Sequence, residues 1–165
     1  MNLKRISRLL ENKDDLVINE IILDTANKKK QVIYGARAYN YQSPTYLKKK
    51  TTDYDILTKK PKKSASEVAK RLSERLKKNV EVTKGSHKGT YRIKVNGEVI
   101  ADYTQLKKKP KTKKIWGTEV RDIKSIKKNT QRLLKKKGIE YRREKDIDTL
   151  QRIQEIERIE NAFNL

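Results

Sequence analysis

The sequence predicts an α+β domain, with a mixed β-sheet of about five strands and helices flanking it toward both ends of the chain. Three observations predict this. Apolar residues recur at helical spacing near both ends, in Leu16, Val17, Ile21, Ile22 and Ala26 and again in Ile147, Leu150, Ile153, Ile156 and Ile159. Between these stripes lie short β-rich runs bounded by Gly, Pro and Asn. Apolar residues make up 34% of the 165 positions, which is thin but enough to fill a core at this length.

Leu3, Ile6, Leu9 and Leu10 begin the helical pattern, so residues 3–28 read as one or two helices, with Asp14-Asp15 as an N-cap between them. Gln31 to Tyr34 is an apolar strand ending at Gly35, followed by a short helix from Ala36 to Gln42 that Ser43-Pro44 stops. Thr52 to Thr58 alternates and is a strand, and Pro61 with its lysines makes a turn. Ser64 and Glu67 have capping-box spacing ahead of an amphipathic helix through Ala65, Val68, Ala69, Leu72 and Leu76. Val80 to Thr83 is a strand, and Gly85 to Gly89 is a loop holding His87, the one histidine. Thr90 to Val95 and Glu98 to Tyr103 flank Asn96-Gly97, the strongest short hairpin signal. Gln105 to Lys114 reads as a basic loop and Ile115 to Val120 as a further strand. Ile123 to Leu134 is a helix closed by Gly138, and the last helix runs from about Arg142 to Ala162. This divides the chain into an N-terminal helical segment (1–30), an α/β core (31–120) and C-terminal helices (121–165).

The formal charge is +22, from 43 Lys and Arg against 21 Asp and Glu. Such an excess points to a polyanionic partner, with nucleic acid first among them. The lysines cluster at 28–30, 48–50, 59–63, 107–114 and 135–137, where each cluster alone could be a solvated surface. Cysteine is absent, which excludes disulfide scaffolds, thiolate zinc sites and cysteine nucleophiles. No run approaches the roughly 18 apolar residues of a membrane span, and residues 1–16 carry no signal-peptide core. The expectation is a soluble protein of the cytoplasm, without a membrane partner. The Lys-rich, Cys-free composition suits a heat-adapted source or a basic viral or plasmid protein equally.

Three features form one candidate site. The strand ending at Gly35 runs into Ala36 and Arg37, and a glycine at a strand-to-helix junction lets backbone N–H groups approach a phosphate. Asp53 and Asp55 stand at i, i+2, which places both carboxylates on one strand face, where their repulsion calls for a divalent cation. Asp102 ends a later strand and completes a three-carboxylate cluster if that strand lies beside Thr52 to Thr58. Such a cluster fits two-metal phosphoryl or nucleotidyl transfer with Mg²⁺ or Mn²⁺ held by Asp53, Asp55 and Asp102. Gly35, Ala36 and Arg37 would grip the phosphates of a nucleoside triphosphate.

The ordered set Gly35-Ala36-Arg37, Asp53-Tyr54-Asp55-Ile56 and Asp102 resembles the nucleotidyltransferase superfamily of DNA polymerase beta, over about Val32 to Leu150. The stretch YGARAYNYQSPTYLKKKTTDYDILTKKPKKSA is most similar to the small stand-alone members from archaea, plasmids and viruses. The resemblance implies a palm-type fold, catalytic Asp53, Asp55 and Asp102, and a triphosphate contact from Lys145 in the Lys-Asp-rich helix start YRREKDIDTL. It implies an enzyme that moves a nucleoside monophosphate from a nucleoside triphosphate to a hydroxyl, with RNA or DNA as acceptor. The sequence departs from the pattern at Ala36, where Gly or Ser is usual, so a side-chain contact is lost while backbone donation survives. Competing readings are a non-catalytic basic nucleic-acid-binding protein on the same fold and a protein-modifying enzyme of the toxin-antitoxin type. A metal-dependent nuclease is disfavoured, because no Glu-x-Lys partner lies near the paired aspartates. His87 reads as an ordinary loop residue, and Trp116 and Phe163 as core or cap residues. Tyr39, Tyr41, Tyr46 and Tyr103 are near enough in sequence to be candidates for stacking on a base.

Overall fold

The computed structural model describes the backbone of residues 3–163 and the side chains of residues 13–163. A single helix, α1 (Leu3–Lys28), opens the chain. Asp14 and Asp15 therefore sit inside it rather than capping a second helix, and Asp14 instead pairs with Lys78. The side chains of Leu3, Ile6, Leu9 and Leu10 lie outside the described residues. Strand β1 (Val32–Tyr34) runs directly into α2 (Gly35–Tyr41), and a 3₁₀ turn at Thr45–Leu47 leads to β2 (Tyr54–Thr58). Then come α3 (Pro61–Leu76), β3 (Val80–Lys84), β4 (Thr90–Val95) and β5 (Glu98–Gln105). The chain closes with β6 (Thr112–Ile115), β7 (Thr118–Arg121), α4 (Ile123–Leu134), a 3₁₀ turn at Glu140–Arg142 and α5 (Arg143–Ala162).

The α+β class holds, and the sheet is mixed, but it has seven strands rather than about five, in the order β3-β4-β5-β2-β1-β7-β6. The two parallel contacts, β2 with β5 and β1 with β7, set strands from distant parts of the chain side by side. One face of the sheet carries Ile33, Ile56, Tyr103 and Ile93 into a core closed by Ile21 and Ile22 of α1 and Val68 and Leu72 of α3. Helices α4 and α5 pack on each other and enter the same core through Ile126, Ile153 and Ile156. One continuous core thus draws on all three sequence segments.

Four local expectations differ from the structure. The basic loop and the strand at 115–120 are in fact a hairpin, turned at Trp116 and Gly117, whose φ values are +48° and +79°. Its first strand, Thr112 to Ile115, is a lysine-bearing sheet edge, where charge discourages pairing with other chains and hides the apolar alternation. Trp116 at the tip is 85% exposed and meets Tyr41 edge-on at 5.9 Å, and Phe163 is 71% exposed, so neither is a core residue. The capping box does not form: α3 begins three residues earlier with Pro61 in its first turn, where the missing N–H costs nothing. Ser64 is buried and accepts a 2.9 Å hydrogen bond from Gln31 Nε2 instead. Gly138 is not the residue that closes α4, which ends at Leu134 with Lys135 as its cap. Among the described residues no helix is long and apolar enough to cross a membrane.

Candidate active site

The sheet face opposite α1 and α3 carries a row of side chains fixed by strand register. Tyr34 on β1 lies opposite Asp55 on β2, Asp55 is level with Asp102 on β5, and Asp102 is opposite Arg92 on β4. Directly paired residues share a face of the sheet, so the two carboxylates stand side by side. Asp53 lies just before β2, where Thr51 Oγ1 donates to its Oδ1 at 3.2 Å. One row along, Tyr34 Oη, Thr104 Oγ1 and Thr90 Oγ1 are linked at 3.0 and 2.9 Å, tying β1, β5 and β4 together beneath the acids.

This row forms the floor of a cleft of about 570 Å³. Its opposite wall is built by α4, through Ile126, Asn129 and Leu133, and by the start of α5, through Lys145 and Thr149. Gly35, Ala36, Asp53, Asp55 and Asp102 all line the cleft, as does Lys145. Gly35 has φ +66°, a backbone conformation that favours glycine, and a Cβ there would lie 3.0 Å from the Asp55 Cγ and still closer to one of its oxygens. The glycine therefore makes room for the carboxylate as well as allowing the turn into α2.

Arg37 is the expected site residue that the structure does not bring into the cleft lining. Its Nε donates to the Asp53 carbonyl oxygen at 3.1 Å, and its guanidinium lies 4.2 Å from the centre of the Tyr54 ring. It holds the Asp53 backbone and does not border the cleft. Of the candidate stacking tyrosines, Tyr39 borders the cleft with its hydroxyl donating to the Leu47 carbonyl at 2.9 Å, while Tyr103 is buried on the other face of the sheet. Tyr46 is exposed and Tyr41 packs on Trp116, and neither borders the cleft.

The electrostatics are those of a crowded anionic centre inside a basic protein. Burial first, then repulsion by Asp53 and Asp102, pushes the Asp55 carboxyl up to about 6, against the partial relief of Lys145 and Arg92. Burial and the nearby Asp55 push the Tyr34 phenol up to about 12. Arg92 grips both Asp102 oxygens, at 2.8 and 2.7 Å. Among the described residues no three His, Asp or Glu side chains are grouped so that they could hold a metal ion, and Asp102 is engaged by Arg92. Asp53 and Asp55 carry no such clamp, and Asp55 is partly buried beside two further carboxylates. That pair suits a hard divalent cation with oxygen ligands.

Four cleft residues escaped sequence reading. Arg121 at the end of β7 is half-buried, has no carboxylate at ion-pairing distance among the described residues, and is held below the usual arginine range by burial and by Arg132. Lys49 is also half-buried, and burial pulls its ammonium below the lysine range. Its backbone is clamped by Asn40, which donates to the Lys49 carbonyl and accepts from its N–H, both at 2.7 Å. Arg92 was hidden because only strand pairing brings it to Asp102. His87, read as an ordinary loop residue, borders the cleft with Ser86. Arg121 follows directly on a strand that was misplaced in the sequence, so no local signal could have found it.

Comparison with known proteins adds a family and a fold likeness. A family model described as the poly(A) polymerase catalytic subunit matches residues 20–139, which include the glycine turn and all three aspartates. No curated protein sequence matches the chain. Among solved structures, the Megavirus polyadenylate synthase is similar, with a TM-score of 0.74 and 21% identity. The match covers 86% of this chain and 31% of that one, so the chain spans about a third of that protein's length. At this identity the likeness is one of fold.

Proposed function

Since the chain belongs to the family of poly(A) polymerase catalytic subunits, we propose that it transfers nucleotides from a nucleoside triphosphate to the 3′ hydroxyl of RNA. Adenylate is the nucleotide the family name favours, with ATP as donor. The likeness to a viral polyadenylate synthase favours the viral branch among the small members its sequence resembles. The observation that carries the reading is the register that sets Asp55 beside Asp102, with Asp53 and the Gly35 turn at the same end of the cleft.

Asp53 and Asp55 would hold a divalent cation, Mg²⁺ or Mn²⁺, and Asp102 would join them on exchanging one Arg92 contact. When bound, the cation supplies charge neutralisation at the phosphates and lowers the pKa of the attacking hydroxyl. The rest falls to the chain itself. The backbone at Gly35 and Ala36 lets phosphate oxygens come close, because no side chain larger than a methyl stands there. Lys145 and Arg121 face the same cleft from α5 and β7 and offset the charge of the triphosphate and of the leaving pyrophosphate. Asp102, level with Asp55, is placed to accept the proton of the attacking hydroxyl once Arg92 is shared. Arg37 and Thr51 hold Asp53 in position from behind.

The test is incubation with each labelled nucleoside triphosphate, Mg²⁺ or Mn²⁺, and RNA and DNA with free 3′ ends. Label extending RNA, and lost in Asp53→Ala and Asp55→Ala, is the expected result. Label in protein would move the assignment to protein modification. Nucleic-acid binding without any label would make the chain a binding protein on an enzyme's fold.

A further inference from the structure

A second depression, about 600 Å³ in volume, adjoins the cleft and shares Arg121 and Asn129 with it. Its other cations are Lys111 from the loop before β6 and Lys124, Lys128 and Arg132 from α4. The last three follow at i, i+4 and i+8, so they form one stripe with steps of about 6 Å along the helix axis. The acid in this groove, Asp122, is committed as the N-cap of α4, accepting the Ser125 N–H at 2.6 Å. None of the five basic residues has a carboxylate at ion-pairing distance among the described residues. Lys127, on another face of the same helix, shows the contrast: it is paired with Glu157 at 2.8 Å. A row of unpaired cations that leads into a cleft is costly through self-repulsion, and it is relieved by a chain of phosphates.

We propose that this groove is the track of the acceptor strand, binding the backbone of single-stranded RNA and delivering its 3′ end past Arg121 and Asn129 to the carboxylates. The inference rests on the nucleotidyl-transfer reading for its direction, though not for its measurement. Asn129, whose Oδ1 accepts from Arg132 at 2.9 Å, can donate its Nδ2 to a base edge or sugar hydroxyl at the junction, while the α4 stripe contacts phosphates and is indifferent to sequence.

The experiment compares the full chain with Lys111→Ala/Lys124→Ala/Lys128→Ala/Arg132→Ala and with an equally neutralised control, Lys59→Ala/Lys60→Ala/Lys62→Ala/Lys63→Ala, on a separate surface. Binding of a fluorescent single-stranded RNA is titrated at several salt concentrations, without metal or nucleotide. For the groove variant the slope of log K against log salt should fall by about 2 to 3, at about 0.7 per lost phosphate contact, and affinity should fall at least tenfold. The control should lose less than threefold. Equal losses in both, or no loss in the groove variant, would overturn the track. A groove variant that prefers single strand over duplex as strongly as the unchanged protein does would overturn it too. Melting temperatures of both variants check that each is folded. Because the readout is binding alone, the absence of nucleotide transfer would count against the enzymatic reading and leave this result standing.

Discussion

The Asp55 carboxylate occupies the space that a side chain at position 35 would need: a Cβ on Gly35 would stand 3.0 Å from the Asp55 Cγ. The positive φ of +66° at Gly35 and the packing of Asp55 are thus one structural fact seen from two strands. Gly35→Ala should cost about 1–2 kcal/mol through the backbone alone, with more from the displaced carboxylate. Nucleotide transfer should fall at least a hundredfold while the protein still folds. A Gly35→Ala protein with unchanged activity would show that Asp55 need not sit where it does.

Asp55 itself is unfavourable to folding when charged. A carboxyl raised from its ordinary value to about 6 in the folded state costs nothing below the unfolded value, where both states are protonated. The cost grows as pH rises through 4 to 6 and is complete above that. Asp55→Asn should therefore be more stable than the unchanged protein at pH 7.5, by up to about 2–3 kcal/mol, and equal to it near pH 4. Thermal melts of the two proteins across this range check the sign. Added Mn²⁺ should raise the melting temperature of the unchanged protein and leave that of Asp55→Asn unmoved.

On the proposed reading, Arg92 competes with the cation for Asp102. Arg92→Gln removes a guanidinium that donates to both carboxylate oxygens, so Mn²⁺ should bind severalfold more tightly to this variant. Transfer should nonetheless slow, because the variant also loses a positive charge beside the phosphates. Calorimetric Mn²⁺ titration measures the first effect, and equal or weaker binding would show that Asp102 takes no part in holding the ion.

Ser64 and Glu67 test the corrected helix start. Ser64→Ala should cost about 1–2 kcal/mol, because it strips a buried partner from Gln31, whose Oε1 already lacks one. Glu67→Ala should change stability by less than about 0.5 kcal/mol, since its contact is a half-exposed pair with Lys29 rather than a cap. Urea unfolding of the two variants separates them, and similar costs would restore the capping box.

The parts of the molecule legible in the sequence are those governed by neighbours in the chain. Helical stripes, the Asn96-Gly97 hairpin and the strand-turn at Tyr34-Gly35 each depend on a few adjacent residues. The β6–β7 hairpin was not legible, because its turn places a tryptophan in the left-handed region and its edge strand is dominated by lysine. The misplaced start of α3 has a similar cause: Ser64 has the spacing of a cap, but its hydroxyl is drawn into a buried cluster with Gln31 and Thr58.

Composition and local spacing are enough to specify the α+β class, the basic surface, the glycine turn and the paired aspartates. Which residues meet depends on how distant strands pair. The parallel pairing of β2 with β5 levels Asp55 with Asp102, and β4 then brings Arg92 onto the same carboxylate. The pairing of β1 with β7 carries Arg121 to the cleft, while Arg37, nearer to Asp53 and Asp55 in the chain, turns away to hold Asp53 from behind. The physical reason is that strand register couples residues far apart in the chain through backbone hydrogen bonds, and no property of either segment alone encodes its partner.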